Sequence, residues 1–299
     1  MIAMVAEESG ARPPARNPRT DTREAAELRA LKERNPDLAD AADMHLELVD
    51  LHRRIQGRVP LPSWDLSPEI LARHNAEARP LLQFEHIPLE LTDLRLMVRQ
   101  TAEVLRRHGA IDESDFQKVQ TVGRDTTLVA VVGQWFRSGV ERHVTAGVGL
   151  SPGQDNAIDA ALDQVLTLAM RPFLLRCAEV LQQRSDLGTW THTHCALCGG
   201  EPDFAVITPA AERHLICSRC TLRWKFEPLT CPYCRNSDRT LITSFATPDG
   251  QYRVYACDVC HRYLKAYDGR RASRPFMPMV DGVATLPLDA AAMQRGYTS

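Results

Sequence analysis

The chain has 299 residues, with 36 Lys+Arg against 38 Asp+Glu, and 44% of it is hydrophobic. That length is a soft prior for about two domains, and the apolar fraction is enough for a sizeable core. The net charge of −2 exerts no strong pull on nucleic acid or acidic lipid, and no apolar run approaches the roughly 18 residues of a membrane helix.

Residues 1–20, with Pro13, Pro14 and Pro18 among Arg, Ala and Gly, read as a disordered lead. The opening Met1-Ile-Ala-Met-Val-Ala-Glu-Glu has no basic segment followed by an apolar core, and there is no twin-arginine signal. The expectation is a protein kept in a reducing cytoplasm.

A helical domain is expected over 21–187. Ala25, Leu28, Leu31, Leu38, Ala41 and Ala42 keep a three-to-four spacing. Met44, Leu48, Leu51 and Ile55 continue the stripe until Gly57 and Pro60. Pro60, Pro62 and Pro68 mark a loop, and Ser67-Pro68 opens the next helix, with serine as its cap. A longer helix from Pro88 to His108 carries Leu91, Leu94, Val98, Ala102 and Leu105 on one face and ends at Gly109. Asp112 to Phe116 opens a short helix. Leu128 to Phe136 is apolar nearly all round, which suits a buried central helix. Gly147, Gly149, Ser151 and Pro152 break the pattern. A last helix takes in Ile158, Leu162, Val165, Leu168, Ala169 and Leu175, and Pro172 should kink it. Cys177, alone on this helix, reads as a small buried apolar residue. The uneven lengths suggest an irregular bundle, not a repeat array.

Residues 184–194 look like a linker, after which the apolar period shortens from about 3.6 to about 2. Short strands are expected at 204–208, 213–216, 222–226, 241–245, 252–255 and 263–267, with a hairpin turn at Pro248-Asp249-Gly250. Among them lie four Cys-x-x-Cys pairs: Cys195/Cys198, Cys217/Cys220, Cys231/Cys234 and Cys257/Cys260. Gaps of 18 and 22 residues lie within the two couples and 10 between them. Two intervening residues let a tight turn aim both sulfurs at one point, and two such turns make a tetrahedron. Gly199 and Gly200 after the first pair, and Pro232 inside the third, suit such turns. The spacing leaves the pairing pattern open; pairing first with second and third with fourth closes the shorter loops and is preferred over crossed pairing.

Disulfides would need an export signal, and a thioredoxin-like site would need a βαβ setting. His192, His194 or His261 could replace a cysteine, but eight cysteines already suffice for two sites. Each half alone is too small for a sufficient core, so metal should supply much of its folding energy. Trp224, Phe226, Tyr255, Tyr263 and Tyr267 should pack around the sites. The fold class is therefore α+β: an irregular all-α bundle followed by two small rubredoxin-like or zinc-ribbon β modules, at 188–228 and at 229–299 with a C-terminal tail.

From Trp190 onward there are 13 Lys+Arg against 10 Asp+Glu. Two divalent tetrathiolate centres, each of charge −2, would leave this part at −1, whereas a nucleic-acid-binding ribbon keeps a positive excess. Arg213, Arg219, Arg223, Lys225, Arg235, Arg239, Arg253 and Arg262 are accordingly read as a solvated or protein-docking face, and His214 as a surface residue. No carboxylate pair, Ser–His–Asp set or phosphate-cradling loop stands out, and closed tetrathiolate sites leave no position for substrate. The chain is not expected to be an enzyme.

Cys-Ala-Leu-Cys-Gly-Gly-Glu-Pro (195–202), Cys-Ser-Arg-Cys-Thr-Leu-Arg-Trp (217–224), Thr-Cys-Pro-Tyr-Cys (230–234) and Cys-Asp-Val-Cys-His-Arg-Tyr-Leu-Lys (257–265) resemble the formate dehydrogenase accessory protein family, FdhE. Leu28-Arg-Ala-Leu31 and the tail from Ala284 to Tyr297 extend the likeness over most of the chain. Ala196 stands where that family has proline, and Val280-Asp-Gly-Val departs from its Asp-Asp-Leu-Ala-like run. The resemblance implies a cytoplasmic maturation factor or chaperone. It would hold iron in two rubredoxin-like sites and contact the formate dehydrogenase catalytic subunit. All eight cysteines carry over as ligands. Ligand type alone leaves zinc open, and a nucleic-acid-binding zinc ribbon and a rubredoxin-type electron carrier are the competing classes.

Overall fold

A computed structural model of the chain describes residues 22–64, 66–146, 159–184 and 187–299. The expected disordered lead, the break at Gly147, Gly149, Ser151 and Pro152, and Ile158 lie outside the described residues. Helices α1 (Arg23–Arg34), α2 (Ala39–Gln56), α3 (Pro68–Ala76), α4 (Leu91–Arg107), α5 (Glu113–Arg124), α6 (Leu128–Ala146) and α7 (Ala160–Arg184) come first. Strands β1 (Pro202–Ile207), β2 (Arg213–Cys217), β3 (Arg223–Lys225), β4 (Ile242–Ala246), β5 (Tyr252–Cys257) and β6 (Tyr263–Asp268) follow, then helices α8 (Pro278–Ala284) and α9 (Leu286–Gln294).

Local chemistry sets several of these boundaries. Thr22 caps α1, its hydroxyl accepting from the Ala25 amide at 3.0 Å, and Asp112 caps α5 by accepting from the Asp115 amide at 2.8 Å. Ser67 occupies the N-cap position of α3 without a side-chain cap bond. Pro68, with φ preset for the first turn, is what opens that helix. The long helix α4 begins at Leu91, later than expected, and Leu91 is 43% exposed at its first position. Its buried face is Leu94, Met97, Val98, Ala102 and Leu105. Helix α6 runs ten residues past Phe136 and is not the buried central helix expected: Leu128, Val132, Trp135 and Phe136 are buried, but Val129 is 42% exposed. Helix α7 continues as helix through Pro172. Trp135 of α6 donates its indole N–H to Asp163 of α7 at 2.8 Å, which satisfies a buried ring.

The two β halves form one sheet of six strands, in the order β3-β2-β1-β6-β5-β4. Neighbours are antiparallel except at the join, where β1 runs parallel to β6. In sequence scheme β6 corresponds to β3 and β1 to β4, so the halves meet as a tandem repeat. Joining edge to edge removes two free strand edges and enlarges a core that neither half could build alone.

One sheet face, through Ala205, Leu215, Trp224, Leu264 and Ala266, shares a core cluster with α4, α6 and α7. The other face carries Phe204, Val206, Ile216, Tyr252 and Tyr267, and meets Phe276 and Leu288 of the tail. The tail also reaches the helices: Met279, Val280 and Val283 of α8 pack with Leu28, Leu31, Leu48 and Val49. Asp281 anchors this clip. It is buried and accepts from Tyr252 Oη and Arg274 Nη2, each at 2.6 Å, and from the Met277 amide at 2.6 Å.

The expected linker is instead a fixed strap over the part described from Leu187. Trp190 is buried and donates to the His194 carbonyl at 2.8 Å. His192 and His194 bond the carbonyls of Asn75 and Ala78 at 2.8 and 3.0 Å. A hydrogen-bonded strap over an apolar ring does not behave as a spacer.

Candidate metal centres

The four Cys-x-x-Cys segments adopt one turn. In each, the residue after the second cysteine (Gly199, Thr221, Arg235 or His261) donates its amide to the first cysteine's carbonyl at 2.9–3.1 Å. The first cysteine's amide donates to the residue one further on, Gly200, Leu222, Asn236 or Arg262, at 2.9–3.0 Å. The turn needs a left-handed residue: φ is +69° at Gly199, +56° at Thr221, +61° at Arg235 and +54° at His261. Only Gly199 adopts it without penalty. The sequence marked the first position by its glycine. The other three carry no compositional sign and are found only by their place after the motif.

These turns gather the thiols into two tetrads, Cys195, Cys198, Cys217 and Cys220, and Cys231, Cys234, Cys257 and Cys260, the sulfurs of each lying within 4.8 Å of one another. The grouping is the sequential one. In the first tetrad, Cys195–Cys220 and Cys198–Cys217 are 3.5 Å apart and Cys198–Cys220 3.6 Å. In the second, Cys231–Cys260 is 3.7 Å and Cys234–Cys257 3.6 Å. A disulfide would require about 2.0 Å. A tetrahedron of sulfurs about 2.3 Å from a central ion has edges of about 3.8 Å. Both tetrads fit such an ion. None of the three candidate histidines joins them: His192 and His194 are engaged on carbonyls, and the His261 ring lies near that of Tyr297.

The electrostatics call for a cation. Burial pushes the Cys195 and Cys220 thiols well up, while hydrogen bonds from the neighbouring thiols, with Arg219 adding, hold Cys198 well down. In the second tetrad burial pushes Cys231 up to about 11. At Cys257 burial pushes the thiol up, but the amides of Cys260 and Val259 together with hydrogen bonds from the Cys234 and Cys231 thiols leave it lowered. Four sulfurs this close cannot all ionise unless a positive ion sits among them, so metal uptake should release protons.

The surroundings differ. The first tetrad is buried at all four positions. The amides of Leu81 and Leu82 donate to the Ala196 and Leu197 carbonyls at 2.9 and 2.8 Å, tying its first turn to the loop after α3. Arg219, 5% exposed, lies over the Trp135 ring at 4.1 Å and donates to the carbonyls of Phe136 and Trp135, while its amide donates to Cys217 Sγ at 3.4 Å. Arg171 of α7 donates to Ser218 O at 2.8 Å. Trp224 donates to His192 O at 3.0 Å and ties β3 to the strap. The second tetrad is more open: Cys234 is exposed and Cys260 half-buried. Tyr233 pins it to the β1–β6 join, donating to the carbonyls of Pro202 and Tyr263 beneath the Arg262 guanidinium.

The arginine face is thus only partly a face. Arg219 is interior, and Arg213 is buried and donates to Thr230 O at 2.7 Å. Arg262 makes a bidentate pair with Glu201. Arg223, Lys225, Arg235 and Arg239 remain exposed. Long stems beside aromatic rings let these guanidiniums enter the core, which alternating sequence patterns do not reveal. His214 is half-buried, its Nδ1 enclosed without a partner. Cys177 is fully buried, and burial pushes its thiol up to about 12, which favours the neutral thiol over the nucleophilic thiolate.

Fold and sites together define an α+β protein in which an N-terminal helical region is followed by a six-stranded sheet of paired zinc-ribbon-like modules, each with four cysteines. The same fold occurs in the crystal structure of the FdhE protein from Pseudomonas aeruginosa, with a TM-score of 0.58 and 18% identity over 92% of both chains. No family model and no curated protein matches the sequence.

Proposed function

We propose that this chain is a non-enzymatic accessory factor for formate dehydrogenase, acting in the cytoplasm on the catalytic subunit during its maturation. The observation that carries the reading is the conjunction, on one chain, of the FdhE-like fold over 92% of its length and two tetrads of thiols of coordinating size. The eight cysteines are the ligands, and the ion is iron, with zinc as the alternative for the same donor set. A bound ion would cross-link each half of the sheet, and iron would in addition supply one-electron chemistry. Four thiolates saturate a tetrahedral ion and leave no substrate position, which supports handling of another protein over metal catalysis. Among the described residues no helix is long and apolar enough to cross a membrane.

The test is to purify the full chain without oxygen, measure metal content and the visible spectrum, and use it to capture a formate dehydrogenase catalytic subunit from its own host. Two ions per chain and capture that resists salt support the reading. Affinity for nucleic acid that falls steeply with salt, with no capture, refutes it.

A further inference from the structure

We propose that the two centres differ in kind: the second is a labile site that exchanges a thiophilic divalent cation with solution, and the first holds its ion for as long as the protein stays folded. This rests on the metal reading above. Cys195, Cys198 and Cys220 are 0% exposed and Cys217 is 1% exposed. The second tetrad offers Cys234 and Cys260 to solvent, and Val259, between Cys257 and Cys260, is 53% exposed at the turn's tip. Its inner side, where Cys231 and Cys257 are buried, faces a cavity of about 170 Å³, lined also by Tyr233, Tyr255 and Arg213.

Exchange at a four-coordinate ion needs an incoming ligand to reach it while one thiolate swings away and takes up a proton. At the second centre the Cys234 side chain can do this alone, because it is already exposed while Tyr233 keeps the rest of its turn in place. At the first centre all four cysteines belong to the core cluster that holds Leu197, Leu222 and Trp224. Its turns are hydrogen-bonded to α6, α7 and the loop at Leu81. Opening there means separating the sheet from the helices. The first centre also has the electrostatic setting of a permanent dianionic complex, since Arg219 is buried beside it with no carboxylate partner among the described residues.

The full chain, loaded anaerobically with Zn²⁺, is mixed with excess 4-(2-pyridylazo)resorcinol, and zinc transfer is followed by absorbance. N-ethylmaleimide labelling and mass spectrometry then locate the freed cysteines. One equivalent should leave at least about a hundredfold faster than the other, as local opening outpaces opening of the whole core. The first labels should fall on Cys231, Cys234, Cys257 and Cys260. Cys234→Ser should remove the fast equivalent and leave one tightly held ion. Release of two equivalents in a single phase, or first labelling at Cys195 to Cys220, overturns the proposal. A chain that retains no zinc and labels at all eight positions from the start overturns the metal reading, and the proposal with it.

Discussion

Gly200 stands where the first turn passes over the second, and a Cβ built there would lie 2.8 Å from Cys217 Sγ and 3.2 Å from Arg219 Cδ. Its φ is not positive, so the demand for glycine here is one of space alone. Non-bonded heavy atoms rest at about 3.5–4.0 Å, which makes the overlap in Gly200→Ala close to about 1 Å. Neither neighbour can yield easily. Cys217 Sγ sits 3.5 Å from Cys198 Sγ within the tetrad, and the Arg219 stem ends in a guanidinium bonded to two carbonyls of α6. The cost should reach the upper end for overpacking, about 3 kcal/mol. That corresponds to about a hundredfold loss of metal affinity at the first centre. Competition titration with Co²⁺ and urea unfolding of the loaded chain measure the two effects. Gly282→Ala is the control. It lies within α8 with nothing within 4 Å of the added carbon, and should stabilise by up to about 1 kcal/mol. Gly200→Ala with full metal content and stability within about 0.5 kcal/mol of wild type would refute the steric argument.

Arg235→Gly should stabilise the second half by about 1 kcal/mol, because an exposed L-residue at φ +61° is relieved of strain; no gain in the urea midpoint would show that the turn carries none. Arg219→Leu removes the cation beside the first tetrad and leaves the ion's negative thiolate shell unbalanced. A loss of about 3–5 kcal/mol is expected, with zinc content falling toward one equivalent, and retention of two would argue against a charge-balancing role. His52 gives a pH effect. Burial lowers its folded-state value to about 3, against 6.5 for the free group, so below pH 6.5 the unfolded chain takes up a proton that the folded chain refuses. Its contribution is therefore present above pH 6.5 and is lost as pH falls toward 3, about 2 kcal/mol by pH 5. The thiols also gain protons in that range, so the measurement is the difference between wild type and His52→Gln. Parallel stability curves for the two would show that His52 is not the source.

Cysteine spacing alone determined which two sulfurs share a turn, because a Cys-x-x-Cys turn is closed by its own backbone and needs nothing remote. It favoured sequential coupling of the turns through the shorter loops, and the fold decided that coupling. Helical periodicity likewise marked the face of α4 and the apolar run at the start of α6, since both are properties of a few consecutive turns. Tertiary structure decided what surrounds them. The parallel β1–β6 pair joins strands some sixty residues apart in sequence, the tail threads Asp281 beneath Tyr252, and Arg219 turns inward onto Trp135. From the same four-residue signal, the first tetrad ended up sealed against the helices and the second left at the rim. Burial depends on what the rest of the chain brings to each side, and that information is spread over contacts too distant for any local pattern to record.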